Sequence, residues 1–132
     1  MKKSVGMMLL FLIVSSLSME MMAQKNLLAV VKKCDASDSQ AVEMNIIRRR
    51  NKEAKTSDVL ISIRINGDKK LVNEFLEAAK KDEPNTNRSI SSKKGGKTYP
   101  SNLKFEDIQF MFSFEDEGNA SITIKGNVPI DI

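Results

Sequence analysis

Between Val59 and Lys81 the apolar residues change period once, from two to about 3.6 residues. Val59, Ile61, Ile63 and Ile65 alternate with Leu60, Ser62, Arg64 and Asn66, which sets one apolar row on a single face of a strand. After Asn66-Gly67-Asp68, the residues Leu71, Val72, Phe75, Leu76 and Ala79 recur at helical spacing, and Asp68 stands where an N-cap belongs. A strand that turns directly into an amphipathic helix must bury two apolar surfaces, and a helix layered on a sheet does so.

The flanking residues extend this pattern. Leu27, Leu28 and Val31 share one side of a short helix over 25–34, with Lys32 and Lys33 near its C-terminal end, where cations suit the helix dipole. Val42, Met44 and Ile46 alternate with Glu43, Asn45 and Ile47 as a first strand, joined to the second by a polar, loose connection over 48–58. Pro84 and Gly95 bracket a second short helix over 84–94, and 95–102 reads as a loop. Ile108, Phe110, Phe112 and Phe114 then alternate strictly, with Phe105 out of phase, so this strand starts near Ile108 or contains a bulge. A loop over 115–119 leads to a last strand through Ala120, Ile122 and Ile124, and Pro129 limits Val128-Pro129-Ile130 to an edge extension. The expected fold is α+β in the order αββαββ: two hairpins side by side in a four-stranded antiparallel sheet, with both helices on one face.

The first residues have a different character. Lys2 and Lys3 precede the apolar run VGMMLLFLIV, and Ser15 to Ser18 leads to Ala23-Gln24, the layout of a secretory signal peptide. The run is too short for a comfortable membrane span. The expected organisation is therefore a signal peptide over 1–23 and one domain over 24–132, exported to the periplasm or beyond. Without Lys2, Lys3 and Glu20 the formal charge falls from +4 to +3, too mild a balance to mark a nucleic-acid protein.

Composition removes whole classes of chemistry. The chain has no histidine and a single cysteine, Cys34, which rules out imidazole-assisted nucleophiles, thiolate or imidazole metal sites and an internal disulfide. Cys34 lies at helical spacing from Leu27 and Val31 and reads as a small buried apolar residue. Glu74 and Glu77 read as a solvated helix face, and Glu115-Asp116-Glu117 lacks the alternating ligands of a calcium loop. Gly95-Gly96-Lys97-Thr98 imitates the end of a phosphate-binding loop, but Ser91 stands where its first glycine belongs and Pro100 blocks the helix that should follow. No enzyme, cofactor, metal or nucleotide is expected on these grounds.

Two surfaces are candidates for binding. If the apolar rows face the helices, the other sheet face shows Ile47, Arg49, Leu60, Ser62, Arg64, Met111 and Lys125 among Glu43, Asn45, Gln109, Ser113, Ser121 and Thr123. Apolar anchors in a polar surround suit recognition of a protein partner in the cell envelope. The alternative is a polyanion or membrane surface held by basic loops, Arg48, Arg49, Arg50, Lys52 and Lys55 in one and Lys93, Lys94 and Lys97 in the other. No aromatic residue is interleaved with 48–55 to stack on bases, which counts against nucleic acid.

The Ala-Gln exit, LLAVVKKC at Leu27 to Cys34, LVNEFLEAAKKDE at Leu71 to Glu83 and GGK-x-YPS at Gly95 to Ser101 together resemble a family of small exported proteins of unknown function from Bacteroides and related bacteria. That resemblance implies a Gram-negative exported protein and brings no catalytic residues. By element order the chain is also similar to the beta-lactamase-inhibitor-protein fold, whose units present a sheet face to a partner.

Overall fold

A computed structural model describes residues 24–129, apart from 38, 54 and 107. The segment read as a signal peptide lies outside the described residues. The elements are α1 (Lys25–Ala36), β1 (Val42–Asn51), β2 (Thr56–Asn66), α2 (Lys69–Asp82), a 3-10 turn (Glu83–Asn85), β3 (Arg88–Lys94), β4 (Lys97–Lys104), β5 (Ile108–Phe114) and β6 (Asn119–Pro129). All strands join one antiparallel sheet in the order β1-β2-β6-β5-β4-β3.

The four-stranded αββαββ expectation is therefore wrong. The order is αββαββββ, and the likeness to the beta-lactamase-inhibitor-protein fold, which rested on element order, loses that footing. The expected helix over 84–94 is the 3-10 turn followed by β3, and the expected loop over 95–102 is a tight turn and most of β4. The physical reason lies in β3: all of its residues are exposed, so it has no buried row whose period would reveal it. Its partner β4 bends at a bulge, where Ser91 pairs with Pro100 but Ile90 pairs with Asn102. Pro100 is tolerated there because β4 reaches β5 only from Asn102 onward.

Two further boundaries move. The β1–β2 connection is tight, with Asn51 paired to Thr56, so Arg48, Arg49 and Arg50 lie on a strand. β6 runs on to Pro129 in the middle of the sheet, between β2 and β5, and Pro129 pairs with Thr56, the first residue of β2.

The core forms where the periodicity places it. Val59, Ile61, Ile63 and Ile65 are buried beside Ile122 and Ile124 of β6 and Phe110 of β5, under Leu27, Leu28, Val31 and Cys34 of α1 and Leu71, Val72, Phe75 and Ala79 of α2. Asp68 caps α2, its Oδ1 accepting the N–H of Leu71 at 3.0 Å. Phe105 belongs to the β4 side of a short turn, its N–H donating to Ile108 O at 2.8 Å, and its ring meets Phe110 edge-on at 5.8 Å. Because both helices cover one face, the other face of the sheet is left open.

Candidate functional site

Register orders the side chains of the open face into rows that cross the strands. One row is Ile47, Leu60, Lys125, Gln109 and Lys104; the next toward the β5–β6 loop is Asn45, Ser62, Thr123, Met111 and Asn102; a third is Glu43, Arg64, Ser121 and Ser113. On the opposite side of the first row lie Arg49, Asp58 and Asn127. Alternation puts every one of them away from the helices.

Between the row of Leu60 and the row of Asp58 the face sinks into a hollow of about 560 Å³, within the size range of ligand sites. Val59, Gly126 and Ile108, paired across β2, β6 and β5, run between the two rows. Ile47 and Leu60 supply apolar surface to it, and Arg49, Lys104 and Lys125 supply cations. Ile47 is 61 % exposed and, with Ile90, one of two exposed large aliphatic side chains among the described residues.

The hollow also contains acids. Asp58 is engaged, its Oδ1 accepting from Asn127 Nδ2 at 2.7 Å, and Asn127 Nδ2 reaches Thr56 Oγ1 at 3.3 Å. Glu106 stands on the β4–β5 turn at the rim. Among the described residues, Arg49, Lys104 and Lys125 form no ion pair, so three cations face the hollow with their charge uncompensated at contact distance.

The expected open-face residues divide into two groups. Ile47, Arg49, Leu60 and Lys125 converge on the hollow. Ser62 and Met111 lie one row away, and Arg64 lies further still, occupied by Glu115 at 3.8 Å and by Asn66 Oδ1 at 3.3 Å. Asp58, Lys104, Glu106 and Asn127 were not anticipated. Asp58 is two residues before Leu60 and Asn127 two after Lys125, so carrying the alternation one step further would have found both.

The basic clusters do not merge. Arg48 to Arg50, Lys52 and Lys55 sit at the β1 edge, at the end of the sheet where β1 turns into β2. Lys93, Lys94 and Lys97 sit at the β3 edge, at the other end, where the ammonium of Lys94 donates to the carbonyl of Glu115. Arg48 Nε further donates to Ser57 Oγ at 3.3 Å.

Other polar groups have structural roles. Glu74 pairs with Lys33 across the two helices at 3.0 Å, and Glu117 with Lys69 at 3.5 Å. Among the described residues no three His, Cys, Asp or Glu side chains converge in a metal-binding group, and no helix is long and apolar enough to cross a membrane. Cys34 is buried, and its thiol is pushed up to about 12, first by loss of hydration and then by the negative charge of Glu74.

A family model described as a domain of unknown function, DUF5024, matches residues 24–130, and the chain belongs to that family. No curated protein and no solved structure matches the chain.

Proposed function

We propose that this DUF5024 member is a non-catalytic binding module that holds a protein partner on the open face of its sheet, with the hollow at Leu60 as the anchoring point. One observation carries the reading: Ile47, exposed, and Leu60, half-buried, border a concave site whose three cations form no ion pair among the described residues. An apolar anchor ringed by unpaired charge is the arrangement that protein recognition uses, the first for affinity and the second for orientation. The basic opening, short apolar run and small-residue exit of residues 1–23 support export, and the motif resemblance supports the envelope of a Gram-negative bacterium of the Bacteroides group as the setting.

Polyanion binding through the basic segments is the weaker reading, because 48–55 and 93–97 lie at diagonally opposite corners of the sheet. The two readings separate in one experiment. Affinity capture from the native cell envelope, followed by mass spectrometry, is run with the natural chain, with Leu60→Asp/Lys125→Glu and with Lys93→Glu/Lys94→Glu/Lys97→Glu. A specific protein retained by the natural chain and the lysine triple variant, but lost with the hollow variant, is the expected result. Capture that survives in the hollow variant, fails in the triple variant and collapses with added salt would overturn it.

A further inference from the structure

We propose that the free edge of β1 accepts an extended, acidic segment of the partner as a seventh strand; this deepens the open-face reading and rests on it. The two edges of the sheet differ. β3 is exposed throughout, carries one large aliphatic residue, Ile90, and is interrupted by a register shift at Ile90 and Ser91. Such an edge is poorly suited to further pairing.

β1 is the opposite case. It pairs with β2 through ten consecutive positions without a shift. Val42, Met44 and Ile46 pack against the core yet stay half-buried, because among the described residues no further strand covers their outer side. On the other face of the same strand Ile47 is exposed. Asn66 N–H donates to Ala41 O at 2.8 Å, and antiparallel bonding alternates, so the even residues from Met44 to Arg50 turn their N–H and C=O groups outward, while the Val42 N–H is taken by Ser39 O at 3.3 Å. An added strand would satisfy those groups and complete the burial of three aliphatic side chains.

Charge selects the occupant. β1 carries Arg48, Arg49 and Arg50 but only one acid, Glu43. A second copy pairing edge to edge would collect six arginines against two glutamates along one seam, whereas a segment with Asp or Glu opposite Arg48 to Arg50 makes favourable cross-strand pairs. Arg49 also faces the hollow, so the added strand continues the open face on which Leu60 lies.

The test uses residues 24–132 and three short synthetic peptides: one with a valine-threonine half to lie against Val42 to Ile46 and a glutamate-rich half to lie against Arg48 to Arg50, the same peptide N-methylated at alternate residues, and the same peptide with lysine in place of glutamate. The acidic peptide should bind and slow hydrogen exchange of the Met44 and Ile46 amides by tenfold or more. The N-methylated and lysine peptides should bind at least about tenfold more weakly, as should the acidic peptide to Arg48→Glu/Arg50→Glu, whose fold is checked by circular dichroism. Equal binding of the N-methylated peptide overturns strand addition and leaves open-face recognition standing, since side chains alone would then hold the ligand. No binding at millimolar acidic peptide overturns the proposal. So does sedimentation showing a dimer whose β1 amides are already protected, because the edge would then belong to a second copy.

Discussion

Asp82, the last residue of α2, accepts the backbone N–H of Leu27 in the first turn of α1 through Oδ2 at 2.7 Å, and it is fully buried. Its Oδ1 takes the side-chain amide of Asn26 at 2.6 Å and the Asn26 N–H at 3.4 Å. Gln24, at the N-cap of α1, makes no side-chain capping bond, so the cap comes from 55 residues away in the chain. A carboxylate at a helix N-terminus also meets the positive end of the dipole. The bond therefore sets the end-to-end alignment of the two helices over the sheet.

Asp82→Ala should destabilise the domain by about 2 kcal/mol, the upper range for a lost cap, since it strands the Leu27 N–H in a buried position. Asp82→Asn keeps one acceptor oxygen and should lose less. Urea unfolding of the three chains measures the difference, and an alanine variant within about 0.5 kcal/mol of the natural chain would contradict the role.

Cys34 gives a pH dependence of known sign. Its thiol is raised from the ordinary 9.0 to about 12, chiefly by burial, so the folded state keeps the proton where the unfolded state loses it. The stabilisation is complete below pH 9 and declines as the pH climbs toward 12. Urea midpoints of the natural chain should therefore fall relative to Cys34→Ala over that window, the difference removing the effect of lysines and Tyr99. At pH 8 native Cys34 should react with iodoacetamide roughly 100-fold more slowly than the unfolded chain, because the thiolate is the nucleophile and the residue is enclosed.

Legibility followed burial. The rows from Val59 to Ile65 and from Ile108 to Phe114 were readable because one face is dry, and their parity fixed the open face as well, including Ile47, Leu60 and Lys125. The hairpin of β3 and β4 was not readable by period, because RSISSKK has no dry face. Its one signal is Gly95-Gly96, a doublet that serves two-residue hairpin turns as readily as it ends helices. The hollow is legible only in part: Lys104 ends a strand whose first six residues read as loop, and its partner row needs the central placement of β6. Asp82 had no local signal at all, since the group it satisfies is distant in sequence.

The Gly95-Gly96 turn supports a local prediction. Both residues have positive φ, 59° and 78°, between the paired Lys94 and Lys97. Alanine at either position should cost about 1 kcal/mol by forcing a side chain into the left-handed region, although neither site is crowded. The loss should be confined to the hairpin: amide exchange should accelerate across Arg88 to Lys97, while Ile61, Ile63 and Ile122 keep their protection. Uniform acceleration through the core would show the hairpin to be part of the global unfolding unit.

Asp116 ties the β5–β6 loop to the strand-to-helix junction at the start of α2. Its carboxylate accepts from Asn119 Nδ2 at 2.9 and 2.8 Å and from the Gly118 N–H at 2.9 Å. Asn119 Oδ1 in turn receives the Gly67 N–H at 3.0 Å, and Gly118 O receives the Asp68 N–H at 3.0 Å. The bonds from Asn119, and then from Gly118, hold the Asp116 carboxyl below its usual 3.8. A depressed carboxyl contributes order that is present above the unfolded value and lost as pH falls through the folded one. In an NMR acid titration the Gly118 amide should accordingly shift with a midpoint below 3.8, and the Gly67 amide should follow it. Asp116→Asn should abolish that shared step. A Gly67 amide that titrates unchanged in the variant would mean that the junction is held without Asp116.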